Sequence, residues 1–132
     1  MPPSPLSRLR KLCLALPESY EKEAWGTSTF RVTKGKIFAM YADAATHAGA
    51  GRAAVWINAA PGNQELMLRA DPKRFFFPPY VGKGGWIGVY LDAATDWKGL
   101  AGLLDDGWRL SAPKKLLAAP ASRSPTPRAR RR

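Results

Sequence analysis

The most informative part of the sequence is Arg74-Phe75-Phe76-Phe77-Pro78-Pro79-Tyr80, followed shortly by Gly85-Trp86-Ile87-Gly88-Val89. Proline cannot donate to a sheet ladder, so we expect the first segment to be an extended edge or surface crossing, with some phenyl rings packed inward. The second segment opens the clearest strand of the chain, which we expect to end at Asp92. Its two faces would carry Ile87, Val89 and Leu91 on one side and Trp86, Gly88 and Tyr90 on the other.

A helix is predicted directly after this strand. Asp96 is a suitable N-cap because its carboxylate can accept a free backbone N–H and matches the positive end of the helix dipole. The apolar stripe that follows is Trp97, Leu100, Ala101 and Leu104. Gly107 suits the C′ position, and a last short helix would run from Pro113 through Leu117. Lys114 and Lys115 then lie near the start of that helix, where they oppose its dipole.

The amino-terminal segment also predicts a helix. Ser4 and Pro5 suit the N-cap and first turn, and Pro17 ends the pattern. The apolar residues at helical spacing are Leu6, Leu9, Cys13 and Leu16. Cys13 is therefore interpreted as a core residue, because no histidine accompanies it in the pattern of a nucleophile and its base.

Strand patterns begin after Gly26, around Phe30 and Val32, and resume at Ile37. Between them Lys34-Gly35 predicts a two-residue hairpin turn, in which glycine accepts a positive φ. This turn would gather Arg31, Lys34 and Lys36 at one tip, where long basic side chains can reach a phosphate backbone. The alternative is that these residues only solubilise a turn and protect an edge strand.

The middle of the chain contains a loop, a strand and a short helix. Residues 42–52 are small and without periodicity, and the single histidine, His47, is expected to be solvated there rather than catalytic. A strand follows over Ala53 to Asn58. After Pro61, a short helix is predicted, and its inner side would carry Leu66, Met67 and Ala70.

This order of aromatic, proline, glycine and lysine residues resembles the MmcQ/YjbR-like family of small bacterial proteins. The shared features are the Phe-Phe-Pro-Pro-Tyr stretch, the Gly-Trp strand, the helix opening with Asp96-Trp97 and the close at Pro113-Lys114-Lys115. The resemblance covers roughly residues 8 to 117. It implies a secretion-chaperone-like, double-wing architecture and a DNA-binding role, a label inferred from the wing-like hairpins. It supplies no catalytic motif.

The predicted fold class is α+β in two layers, with an antiparallel sheet of about five or six strands and helices mainly on one face. The residues favour it independently, because the strands cluster as hairpins between an amino-terminal helix and two carboxy-terminal helices. The predicted core is Leu9, Cys13, Leu16, Phe38, Val55, Ile57, Ile87, Val89, Leu100 and Leu104.

Charge and length divide the chain into a body and a tail. The 132 residues carry a formal net charge of +11, and subtracting the five arginines after Ala121 leaves +6 for the body. We expect residues 1–120 to form one domain and residues 121–132, which mix Pro, Ser and Arg, to be a disordered basic tail. The tail is either a nucleic-acid arm or a merely solubilising segment.

Composition also narrows the chemistry. One cysteine and one histidine allow neither an intramolecular disulfide nor the usual zinc patterns, so we expect no metal and no cofactor. There is no apolar run of membrane-spanning length and no secretory signal pattern, so we expect a cytoplasmic monomer without a membrane partner. Motifs for nucleophilic catalysis, redox chemistry and phosphate cradles are missing from the sequence, and we expect no enzyme.

Three functions therefore stay open: a nucleic-acid-binding module, a protein-interaction module with an apolar patch near Tyr80 and Trp86, and a small-molecule binder with an aromatic pocket. The first is favoured, with DNA or another polyanion contacted through its phosphates. The candidate residues are Arg31, Lys34, Lys36, Lys83, Lys114 and Lys115 in the body and Arg128, Arg130, Arg131 and Arg132 in the tail.

Overall fold

The structure, a computed structural model, describes residues 4–42 and 52–117. The helices are α1 (Pro5–Leu14), α2 (Asn63–Ala70), α3 (Trp97–Ser111) and α4 (Lys114–Leu117). The strands are β1 (Ser19–Ala24), β2 (Thr27–Val32), β3 (Ile37–Ala42), β4 (Ala54–Ile57), β5 (Phe75–Phe76) and β6 (Ile87–Tyr90), and a 3-10 turn spans Gly82–Gly84. His47 and the tail arginines Arg128, Arg130, Arg131 and Arg132 lie outside the described residues.

The described strands form one antiparallel sheet of six strands in the order β1-β2-β3-β4-β6-β5. The helices pack on one face of this sheet, because side chains from α1, α2, α3 and α4 all contact the same apolar cluster. The predicted α+β class with two layers is confirmed. Among the described residues, no helix has the length and apolarity that crossing a membrane requires.

The core between sheet and helices contains the predicted residues. Each of them is buried in the cluster except Leu16, which is partly buried and packs against it. The α1 stripe contributes Leu9 and Cys13, both fully buried. Burial, with a smaller effect from the Glu21 carboxylate, raises the pKa of the Cys13 thiol far above its usual range. The thiol therefore stays protonated and serves packing.

The caps and the proline-rich edge agree with the sequence pattern. Ser4 accepts a hydrogen bond from the Ser7 amide at the start of α1, and Asp96 accepts one from the Gly99 amide at the start of α3. Phe75 and Phe76 form the edge strand β5, and their rings lie on opposite faces of the sheet. The prolines that follow prevent this edge from growing longer.

A bulge in β3 sets which side chains face the helices. Phe30 pairs with Ala39, whereas Arg31 pairs with Ile37, so Phe38 is the extra residue on β3. Phe38 and Ala39 consequently both pack in the helix-side core, while Ile37 and Met40 face the other way. The face of the sheet turned away from the helices, the open face, also carries Trp56, Tyr90 and Phe76.

Three local predictions are wrong. The β2–β3 connection spans Thr33 to Lys36 rather than two residues, and its positive φ of 62° belongs to Lys34 and not to Gly35. Gly107 does not end α3 but lies buried inside it. A glycine is needed there because the helix approaches the Asn58 carbonyl so closely that no side chain would fit. The inner side of α2 is Met67 and Leu68, while Leu66 is 63% exposed.

Strand β1 has no counterpart in the sequence prediction. Among the described strands it pairs only with β2, at the edge of the sheet, and none of its side chains is fully buried. Its residues, Ser-Tyr-Glu-Lys-Glu-Ala, therefore carry no apolar alternation from which a strand could be recognised. Thr29 Oγ1 donates to the Lys22 carbonyl, which ties β1 to β2 beyond the ladder itself.

Candidate nucleic-acid interface

The β2–β3 turn lies against the carboxyl end of α3. The Lys36 amide donates a hydrogen bond of 3.0 Å to the Ser111 carbonyl, one of the carbonyls that a helix end leaves without an internal partner. A Cβ atom on Gly35 would lie 2.5 Å from that same oxygen and 3.1 Å from Cδ of Pro113. The turn is thus held directly beside the residues that lead into α4.

Ser111 also joins the turn to the neighbouring strand through its side chain. Its hydroxyl donates to the Ile37 carbonyl at 3.2 Å and accepts from Asn58 Nδ2 at 3.2 Å. Ser111 is only 3% exposed, so these bonds form away from solvent and fix the turn more firmly than surface bonds would.

This contact brings four of the predicted lysines together. Lys34 and Lys36 leave the turn, and Lys114 and Lys115 begin α4 one residue after Pro113. We call Lys34, Lys36, Lys114 and Lys115 the lysine cluster. All four are exposed, and the ion pairs of the described residues involve other side chains.

The fold tolerates this concentration of charge for a physical reason. The cluster surrounds the carboxyl end of the 15-residue helix α3, where the helix dipole is negative and cations are favourable. The cost of placing Lys114 and Lys115 at the start of α4 is small in comparison, because α4 has only four residues.

The other two predicted body residues are not in the segments that meet at Ser111, although both lie at the same end of the sheet. Arg31 pairs with Ile37 and shares its open face of the sheet, where Arg31 Nε donates to Thr29 Oγ1 at 3.1 Å. Lys83 belongs to the 3-10 turn before β6, two strands from β3 and so about 10 Å along the sheet. Gln64 holds that turn by donating to the Gly82 and Trp86 carbonyls.

A second basic group lies at the opposite end of the sheet, where two arginines share one carboxylate. Asp92 accepts hydrogen bonds from Arg52 at 3.3 Å and Arg74 at 3.2 Å. The Ala94 amide, followed by these guanidinium groups, holds the pKa of the Asp92 carboxyl below its usual value. Arg52 also lies over the ring of Tyr90, with 3.6 Å from its Cζ to the ring centroid. These arginines therefore have partners already.

An apolar cleft of about 440 Å³ lies on the open face. Its floor includes Met40 and Trp56, and its walls include Trp25, Tyr80 and Trp86. Tyr80 and Trp86 were predicted to lie in an apolar patch, whereas Trp25 and Trp56 were not. Trp25 was missed because β1, the strand before it, has no apolar alternation, so the β1–β2 turn could not be recognised.

Comparisons with known proteins agree with this architecture. The family model described as YjbR matches residues 14–110. The structure is similar to the crystal structure of a Deinococcus radiodurans protein with a DUF419 domain, at a TM-score of 0.67 and 23% identity, over 81% of this chain and 80% of that chain. At this identity the likeness concerns the fold. No curated protein matches the chain.

Proposed function

The chain belongs to the YjbR family, and we propose that it is a non-catalytic protein that binds duplex DNA by contacting phosphates with its lysine cluster. The observation that carries this proposal is the packing of the β2–β3 turn against Ser111 and Pro113. It brings the turn that carries Lys34 and Lys36 beside the start of α4, which carries Lys114 and Lys115, although the two segments are about 80 residues apart in the sequence. A surface with these exposed cations attracts a polyanion through counterion release.

The type of contact follows from the side chains. Lysine is a compact point charge on a flexible stem, which suits phosphate oxygens better than the bidentate reading of a base edge. Of the two helices next to the cluster, α4 has only four residues, and α3 packs its apolar stripe on the sheet and meets the cluster only with its carboxyl end, so neither supplies a long face for a major groove. Binding is therefore expected to vary little between unrelated duplex sequences.

Arg31, Lys83 and the tail arginines have secondary roles in this proposal. Arg31 and Lys83 lie outside the cluster and would meet phosphates only of a duplex that extends past it. Arg128, Arg130, Arg131 and Arg132 would add sequence-independent attraction. The cluster alone, with four phosphates neutralised, corresponds to a slope of about −4 in log affinity against log salt.

The test is a titration of a fluorescently labelled duplex with the full chain at several salt concentrations. Lys34→Gln with Lys36→Gln is expected to weaken binding and to reduce the magnitude of the salt slope by about two. Adding Lys114→Gln and Lys115→Gln should reduce it by about four in all. A chain ending at Pro120 measures the contribution of the tail separately.

A matched control removes the same charge elsewhere. Lys73 and Lys98 are exposed, and they lie before β5 and in the first turn of α3, at the far end of the sheet from the cluster. Lys98 is about 20 Å from Ser111 along the helix axis. Lys73→Gln with Lys98→Gln also lowers the net charge by two, yet should leave the slope nearly unchanged. Equal slopes for the two double variants would contradict the proposal.

A further inference from the structure

The cleft on the open face of the sheet is formed by parts of the chain that are distant in sequence. Met40 and Trp56 are direct partners across the β3–β4 ladder and form its floor. On the far side of Trp56 its partner is Gly88, over which the ring of Phe76 packs and then stacks on Tyr90, with 4.5 Å between ring centroids. The described residues thus cover one half of this face with aromatic rings and leave the other half as a cleft.

The lining of the cleft defines what it can hold. Its volume of about 440 Å³ falls within the range of small-molecule sites. No charged side chain lines it among the described residues, although the chain as a whole is strongly basic. A charged ligand would lose its hydration here without meeting an opposite charge. The cleft therefore favours a neutral and largely apolar molecule.

Trp56 gives this apolar cleft one polar requirement. Its side chain is 4% exposed, and its indole Nε1 is buried without a hydrogen-bond partner in the described structure. Buried donors in folded proteins are nearly always paired, so an acceptor at this position is the missing component. Because Nε1 is buried, a ligand at this position requires a neighbouring side chain to shift. Met40, with its unbranched and flexible side chain, is the direct neighbour that can do so.

The walls of the cleft include two aromatic residues in an unusual backbone conformation. Trp25 has a φ of 53° and Tyr80 a φ of 65°, values that large side chains rarely adopt. They are also the two most exposed large apolar side chains in the described part of the chain, at 70% and 81%. At Trp25 the positive φ follows from the two-residue turn between β1 and β2, so the unusual feature there is a tryptophan at an exposed turn position beside the cleft.

We infer that the open-face cleft is a binding site for a neutral, planar aromatic compound that carries a carbonyl-type acceptor, which accepts a hydrogen bond from Trp56 Nε1. The rings of Trp25, Tyr80 and Trp86 would stack against or edge onto the planar ligand. This site is independent of the lysine cluster and goes beyond the proposed DNA binding.

The test compares two probes that differ only in the acceptor: 2-acetylnaphthalene, a ketone, and 2-ethylnaphthalene, a hydrocarbon of similar shape. Titration of the full chain, followed through the indole N–H signals of the five tryptophans in ¹H–¹⁵N spectra, gives both affinity and location. The ketone should bind about tenfold more tightly than the hydrocarbon. It should also move the Trp56 signal to higher ¹H frequency, as a new hydrogen bond does.

Three variants distinguish the contribution of the hydrogen bond to affinity from that of the residues that form the walls of the cleft. Trp56→Phe keeps a ring but removes the N–H, and it should bring the two affinities to within about twofold. Trp25→Ala, at an exposed position where folding depends little on the side chain, should weaken both probes by about fivefold. Trp97→Phe, on the helix side with Arg8 over its ring, should change neither affinity.

The inference would be overturned if neither naphthalene binds. It would also be overturned if both bind equally while the Trp56 signal stays in place. A third contrary result is a dimer in sedimentation that does not bind the ketone and that Trp25→Ala dissociates. The cleft would then be a surface between two copies of the chain. Retained folding of Trp25→Ala, checked by thermal unfolding, keeps the comparison valid if Trp56→Phe is too unstable to study.

Discussion

The carbonyl oxygen of Ser111 lies 2.5 Å from the position that a Cβ atom on Gly35 would occupy. Gly35→Ala therefore pushes the β2–β3 turn away from α3, since a backbone carbonyl cannot move aside as a flexible side chain can. We expect the free energy of unfolding to fall by about 1–3 kcal/mol, measured by urea denaturation. Gly84→Ala, where the added methyl meets no atom within 4 Å, is the control and should stay within about 0.5 kcal/mol. Equal losses would show that the close contact is unimportant.

Replacing two glycines of the same helix by alanine should change the free energy of unfolding in opposite directions. In α3, Gly102 has open space around an added Cβ, whereas at Gly107 the Cβ would lie 2.9 Å from both the Asn58 carbonyl and Cγ2 of Ile57. Gly102→Ala should raise the free energy of unfolding by about 0.5–1 kcal/mol through helix propensity. Gly107→Ala should lower it by about 1–3 kcal/mol despite the same gain. Chemical denaturation of both variants decides the matter, and stabilisation by Gly107→Ala would contradict the observed packing.

The hydroxyl of Ser111 should matter more than an ordinary serine hydroxyl. Ser111→Ala leaves the Ile37 carbonyl without its donor and Asn58 Nδ2 without its acceptor, in a place that water does not reach freely. The expected loss in the free energy of unfolding is about 1–3 kcal/mol. Ser7→Ala, in the first turn of α1, should change stability by no more than about 0.5 kcal/mol. A result for Ser111→Ala as small as that of Ser7→Ala would show that the turn is held by packing alone.

Stability at acidic pH should depend on Glu21. Its carboxylate accepts two hydrogen bonds from Arg10, at 2.6 and 2.9 Å, and one from Ser28. The bond to Arg10, with a smaller contribution from Ser28, holds the pKa of Glu21 below its ordinary value. Because the folded-state pKa is the lower one, the pair stabilises the fold above the unfolded pKa. This contribution is lost as the pH falls through the folded pKa.

Glu21→Gln should therefore cost about 0.5–1 kcal/mol at pH 7, and the two proteins should converge as the pH falls below the ordinary glutamate pKa and through the lower folded-state pKa. Urea denaturation at a series of pH values measures both curves. Glu23→Gln removes the same charge from an exposed position on the same strand, outside the pair with Arg10, and should show no such convergence. A constant difference between Glu21→Gln and the unmodified chain at all pH values would refute this account.

Most of the core could be predicted from the sequence because its signals are local. Ile87 and Val89 alternate along one strand, and Leu100 and Leu104 recur at helical spacing, so each pattern reports which side is buried. Strand β1 could not be predicted in the same way, because an exposed edge strand needs no apolar alternation. The prediction for Gly107 was wrong because the sequence alone does not distinguish a glycine needed for close packing inside a helix from a glycine that ends one.

The candidate sites were predictable only in their parts. The basic turn and the basic start of α4 were both visible, but the bond that joins them links Ile37 to Ser111, 74 residues apart. Arg31 and Lys83 were predicted together with the four lysines because they carry the same charge. Charge alone does not show where a residue lies in the fold, and neither belongs to the cluster. The cleft depends on the bulge at Phe38, which turns Ile37 and Met40 to the open face, and no local pattern indicates that extra residue.

The strand order β1-β2-β3-β4-β6-β5 has a consequence for how the chain acquires its structure. The first four strands are neighbours in sequence as well as in space, so their pairings close short loops and can form early. The β4–β6 pairing instead closes a longer loop that contains α2 and β5, and α3 lies still further along the chain from the strands it packs against, β2 and β3. A transition state with β2 and β3 largely formed and β6 unformed would show high φ-values for Phe30 and low ones for Val89. The lysine cluster, which needs α3 to be in place, would then be among the last features to form, so a partly folded chain would lack it.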